Sequence, residues 1–148
     1  MLVSIVGLAF TFREARRART AAEGASAQVA RVVSMTRARA RLAALASAVS
    51  STDVVRLRID KDALRDSGEA FTAFRRSVLE ALSVMAALGD ELCPSQVVDI
   101  ESRLVEIGQL IDSDIDVRRR RTKMRSALEV IAVFLIRQEA RVKTEDVT

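Results

Sequence analysis

Apolar and polar positions alternate with the period of helices along almost the whole chain. The first twelve residues, MLVSIVGLAFTF, form an uncharged apolar run that stops at the basic cluster Arg13, Arg16, Arg17 and Arg19. From Arg13 to about Val49 no proline interrupts, and Gly24 alone weakens a helix. Val32, Met35, Ala38, Leu42, Leu45 and Val49 recur at steps of three and four and mark one apolar stripe. Arg31, Arg37, Arg39 and Arg41 fall largely off that stripe. Between Ala15 and Ala30 the residues are mostly Ala, Arg and small polar types, which make a helix but bury little apolar area.

Ser50-Ser51-Thr52-Asp53 is the first expected boundary, because four side chains able to cap a helix N-terminus stand together before Val54. Val54, Leu57, Leu64, Phe71, Phe74, Val78, Leu82, Met85 and Leu88 then follow helical spacing. The VVRLRI alternation at 54–59 also fits a short strand, but no second strand candidate exists to pair with it, so a helix is expected. Ser67-Gly68 is a place for a kink or break. Gly89 suits a helix C-terminus and Pro94 the opening of the next helix. Val97, Ile100, Leu104, Ile107, Leu110 and Ile111 form a short amphipathic helix, followed by a polar turn at Asp112-Ser113-Asp114. The last helix starts at Asp116. Its segment ALEVIAVFLI, 127–136, is apolar on nearly every side except Glu129, so Leu128, Ile131, Phe134 and Leu135 are expected in a core or an interface.

The fold class expected is therefore all-α: a long N-terminal helix feeding an antiparallel bundle of three or four helices. The chain divides into an apolar segment at 1–12, an Ala/Arg-rich helix at 13–50, and a bundle at 51–148 that shares its core with the end of the long helix. A length of 148 residues suits one domain with a real core.

Charge is distributed in blocks. Residues 1–50 hold eight arginines against two glutamates, residues 51–115 hold seven basic against thirteen acidic groups, and residues 116–148 hold nine basic against five acidic groups. Such blocks suit antiparallel helices that attract one another, or copies that assemble through complementary faces.

Candidate chemistry is sparse. Histidine is absent, which removes the commonest general base and metal ligand together. Cys93 is the single cysteine, so neither an internal disulfide nor a cysteine zinc site can form, and a buried or boundary thiol is expected. Asp112, Asp114 and Asp116 have the spacing that opens a calcium loop. The loop's sixth position is Val117 rather than Gly and its twelfth is Lys123 rather than Glu, so a helix-boundary acidic cluster is expected instead. Asp99 with Arg103, and Asp116 with Arg120, have the spacing of helix-surface pairs. No phosphate loop or nucleophile elbow occurs. No catalytic residue, cofactor or metal is expected.

Two surfaces carry the functional reading. Arg118, Arg119, Arg120 and Arg121 occupy consecutive helical positions and so surround the axis, offering contact to phosphate or to an acidic partner. No aromatic residue is interleaved there to stack bases. The second surface is the N-terminus, where Leu2, Val3, Ile5, Val6, Leu8, Phe10 and Phe12 are candidate membrane contacts and Arg13, Arg16, Arg17 and Arg19 a basic collar. A twelve-residue helix rises about 18 Å, whereas a bilayer core needs about 30 Å, so the run reads as a truncated or shallow anchor. The position of the basic residues after the run places the rest of the chain on the cytoplasmic side.

The order SIVGLAFTF, then REARRAR, then a long Ala/Arg helix and shorter helices resembles small uncharacterised bacterial proteins with one N-terminal membrane segment and a cytoplasmic helical domain. The resemblance covers the layout and implies no catalytic residue. The function expected is a non-enzymatic, membrane-associated cytoplasmic helical module that acts through helix–helix contacts and self-associates, with a homo-oligomer or a helical protein as partner. The alternative is a soluble nucleic-acid-associated or regulatory bundle using Arg118–Arg121 and the Arg31–Arg41 face, cytoplasmic if residues 1–12 are buried in protein.

Overall fold

A computed structural model describes the backbone of residues 2–61, 63 and 68–145, and side chains between Arg13 and Thr144 within those ranges. It contains four helices among the described residues, α1 (Leu2–Asp60), α2 (Gly68–Ala87), α3 (Pro94–Ile111) and α4 (Val117–Glu145), and is all-α. The chain divides into two compact units, Met1–Arg37 and Ala38–Thr148. The helix α1 crosses this division. The bundle unit therefore begins well before residue 51.

The expected boundary at Ser50–Asp53 is absent. Ser51 and Thr52 donate their hydroxyls to the Ala48 carbonyl at 2.8 Å each, back into the helix they belong to, instead of capping a new one. With its hydroxyl satisfied in this way, Thr52 is buried. Because the helix continues, the phase of its buried face continues as well. Leu45, Ala48, Thr52, Val55 and Ile59, alternating three and four residues apart, enter the core. Val54 and Leu57, expected to lie inside from a phase restarted at residue 54, are exposed for the same reason. Residues 54–59 are helical, as expected.

Within the Ala38–Thr148 unit the helices form an antiparallel bundle around one hydrophobic core. Phe74, Val78, Ala81, Leu82 and Met85 contribute from α2. Ile100, Leu104, Ile107, Leu110 and Ile111 contribute from α3, the stripe that its spacing indicated. Helix α4 adds Met124, Leu128, Ile131, Leu135 and Val142. Helices α2 and α3 pack closely at Gly108. A β-carbon on Gly108 would stand only 3.3 Å from Cε1 of Phe71, so the glycine makes room for the ring.

Connections between helices are built from caps. Gly89 adopts φ +81°, with its N–H on Ala86 O at 3.2 Å and the Asp90 N–H on Met85 O at 3.0 Å, a Schellman end to α2. Cys93 precedes α3 in extended conformation and Pro94 opens it. Asp116 caps α4, its Oδ2 accepting the Arg118 N–H at 3.1 Å and the Arg119 N–H at 3.3 Å. That carboxylate was expected to pair with Arg120; it binds the helix backbone.

Among the described residues, ion pairs between distant parts of the bundle join a basic block to the acidic middle segment. Arg41 of α1 reaches Asp90 just beyond α2 at 2.8 Å. Asp60 at the end of α1 accepts Nε of Arg125 in α4 at 2.8 Å. These positions also fix direction: α1 begins its bundle stretch beside the end of α2 and finishes beside the start of α4.

Candidate interaction surfaces

In the Met1–Arg37 unit, every described side chain from Arg13 to Arg37 is exposed. Its hydroxyl side chains bond back into the helix. Thr20 donates its hydroxyl to Arg16 O at 3.0 Å, Ser34 to Arg31 O at 2.9 Å and Thr36 to Val32 O at 2.8 Å. Arg19 pairs with Glu23 one turn on at 3.1 Å, a solvated contact worth about 0.3–0.5 kcal/mol. The unit's large apolar residues among the described side chains are exposed. Val29 is 64 % and Val32 62 % exposed, with Val33 and Met35 beside them also exposed. The stripe expected to run from Val32 to Val49 is thus divided: Leu42, Leu45 and Val49 pack in or against the core, whereas Val32 and Met35 do not. Single exposed apolar residues are ordinary, but four within seven positions of one helix form a patch.

The basic collar, Arg13, Arg16, Arg17 and Arg19, is exposed on this helix. The side chains of Leu2, Val3, Ile5, Val6, Leu8, Phe10 and Phe12 lie outside the described residues. No helix among the described residues is long and apolar enough to cross a membrane.

The Arg118–Arg121 cluster is split by the helix that carries it. Arg118 and Arg119 are exposed, Arg121 is half-buried, and Arg120 is 8 % exposed with Nη1 toward Ser113 O at 3.4 Å. Four consecutive helical positions lie about 100° apart and so point to every side of the axis, and one of them faces the core. Arg41, expected on a solvated face with Arg31, Arg37 and Arg39, is likewise drawn into the bundle. Its Nη2 donates to Leu88 O at 3.0 Å and meets Asp90. Neither arginine group therefore presents one continuous basic face. Nothing in the spacing of Arg41 or Arg120 distinguishes them from their solvated neighbours, and only a helix C-terminus or a carbonyl brought close by the fold does so.

Leu128, Ile131, Phe134 and Leu135 are buried in the bundle core. The segment around them is not enclosed on every side, as its composition implied. Val133 and Ile136 are exposed. Val130, Val133 and Phe134 instead form, with Ile100, the apolar floor of a groove of 490 Å3 between α3 and α4, edged by Asp99, Glu129 and Arg137. Asp99 is offset there by Arg103, 3.4 Å away, which also donates to Glu106 at 3.0 Å. These two carboxylates hold the Arg103 guanidinium above its ordinary range, Glu106 through its hydrogen bond foremost.

Cys93 is exposed at the start of α3, its Sγ 3.0 Å from Ser95 Oγ. The hydrogen bond with the Ser95 side chain, aided by the backbone of Ser95 and Gln96, lowers the thiol below its ordinary range. No group of three or more His, Cys, Asp or Glu side chains arranged to hold a metal ion occurs among the described residues.

No protein family, curated sequence or solved structure matches this chain.

Proposed function

We propose that this protein is a non-enzymatic helical module that acts through helix–helix contacts and self-associates, using the exposed helix of its first unit. One observation carries the reading: Val29, Val32, Val33 and Met35 stand in water on a helical stretch, residues 13–37, whose other residues are charged, small or polar. Exposed valines of this kind gain about 25 cal/mol for each Å2 of apolar surface that a neighbour removes from water. The Ala38–Thr148 unit, with its own core and caps, supplies the folded body of the module.

Two observations weigh against the polyanion-binding alternative. Arg41 and Arg120 are engaged within the bundle, and Asp116 stands at the helix end that carries Arg118 and Arg119. Attachment to a membrane surface through residues 1–12 rests on their sequence, and vesicle flotation of the chain against a chain lacking them tests it. Self-association is tested by light scattering across a hundredfold range of concentration. A mass that rises toward a multiple of 16.2 kDa supports the reading, and a constant monomer mass refutes it.

A further inference from the structure

The charges in the exposed helix respect a seven-residue register. Numbered as a heptad, Ala15, Ala22, Val29 and Thr36 fall at a positions and Ala18, Ala25 and Val32 at d positions. None of these seven is charged. Arg16, Glu23 and Arg37 fall at b, Arg17 and Arg31 at c, and Arg13 at f, all turned away from an a/d seam. At the two positions that flank a seam, e and g, the charged residues are Glu14 at g and Arg19 at e, of opposite sign. The register stops at Arg39, which occupies the next d position. Thr36 fits the seam in spite of its hydroxyl, because that group is already donated to Val32 O at 2.8 Å and its methyl is left to pack.

We infer that residues 14–36 of two copies of this chain form a parallel, in-register, two-stranded coiled coil. The inference rests on the self-association proposed above and names its surface, direction and register. Parallel pairing is favoured by charge. In a parallel pair a g residue meets the e residue five positions on in its partner, which sets Glu14 of each copy against Arg19 of the other. An antiparallel pair places e against e and g against g, and loses that attraction. A second helix also suits this face better than a lipid surface does. Alanines at four of seven seam positions let two backbones approach closely but insert little apolar volume into a bilayer, where bulky side chains anchor such helices.

The test uses the full chain with Cys93 replaced, C93S, and one cysteine placed by Ala18→Cys at d or by Arg17→Cys at c. Both sites are exposed helical positions that tolerate the change. Each protein is incubated with oxidised glutathione and resolved without reductant. The expected result is a disulfide dimer from A18C at least tenfold more abundant than from R17C. In the same background with Glu23→Gln, which removes the competing Arg19–Glu23 pair, Glu14→Arg weakens dimerisation at low salt and the swap E14R/R19E restores it. A chain that dimerises by light scattering but links equally through both cysteines, or fails to recover on the swap, overturns the register and leaves self-association standing. A chain that is monomeric overturns both, and a trimeric mass overturns the two-stranded assignment. Flotation of the A18C chain with anionic vesicles, with loss of the disulfide dimer, assigns this face to lipid and overturns the inference.

Discussion

Arg41 and Asp90 form a salt bridge of 2.8 Å, their side chains 15 % and 14 % exposed, at the point where α2 ends and the chain turns toward α3. The same Nη2 of Arg41 donates to Leu88 O, one of the carbonyls that a helix C-terminus leaves without an intrahelical donor. One guanidinium thus joins α1 to the end of α2 by charge and by hydrogen bond together. Replacing it by methionine keeps the stem but leaves Asp90 and Leu88 O without it. Arg41→Met is expected to destabilise the bundle by about 2 kcal/mol, in the range for a hydrogen bond to a charged group, measured by urea unfolding. The exposed pair Asp60–Arg125 serves as the comparison, and Arg125→Met is expected to cost less than about 1 kcal/mol.

Gly89 makes the same corner possible from the backbone side. Its φ of +81° lies in the left-handed region, where a β-carbon is strained although nothing stands within 4 Å to clash with it. Gly89→Ala is expected to cost about 1–2 kcal/mol, whereas Gly24→Ala, in open helix, is expected to stabilise its helix by about 0.8–1.0 kcal/mol. Circular dichroism during thermal unfolding separates the two.

The core stripe of α4 makes a third expectation. Ile131 is completely buried, and Ile131→Ala is expected to cost about 2–5 kcal/mol through lost transfer energy and the cavity left behind. Thr52→Val should be tolerated far better than its burial suggests, within about 1 kcal/mol, because the hydroxyl it loses serves only its own helix.

Cys93 offers a test by pH. Its depressed pKa means that the folded protein holds more thiolate than the unfolded chain at any pH below the ordinary value. Alkylation by iodoacetamide at about pH 7.5, one unit below the ordinary thiol pKa of about 8.5, is therefore expected to be faster in the native protein than in urea. Ser95→Ala, which removes the foremost cause, should slow the native rate. The linked stability is present above the unfolded pKa and fades as pH falls through the folded one.

Much of the bundle was legible as pattern. The α3 stripe, the Gly89 and Pro94 punctuation and the helical state of residues 54–59 follow from local spacing and backbone chemistry. The boundary at Ser50–Asp53 was not legible, because a hydroxyl that caps a helix and one that bonds back into it are the same residue in sequence. That single choice also misplaced Val54 and Leu57. The candidate surface was legible in part. Val32 and Met35 were visible as apolar positions, but that they stay in water while Leu42 and Leu45 do not depends on where the bundle begins. The engagement of Arg41 and Arg120 depends on Leu88, Asp90 and Ser113, brought near only by the fold.

Val29 and Val32, exposed in the single chain, are covered by a second copy under the proposed self-association. Sedimentation velocity of the native chain against the double variant V29E/V32E addresses it most directly, with circular dichroism to establish that both are equally helical. The native chain is expected to sediment as a dimer at high concentration and to dissociate on dilution, and the variant to remain monomeric throughout. A native chain that is monomeric at every concentration, or a variant that dimerises as readily as the native chain, contradicts the claim.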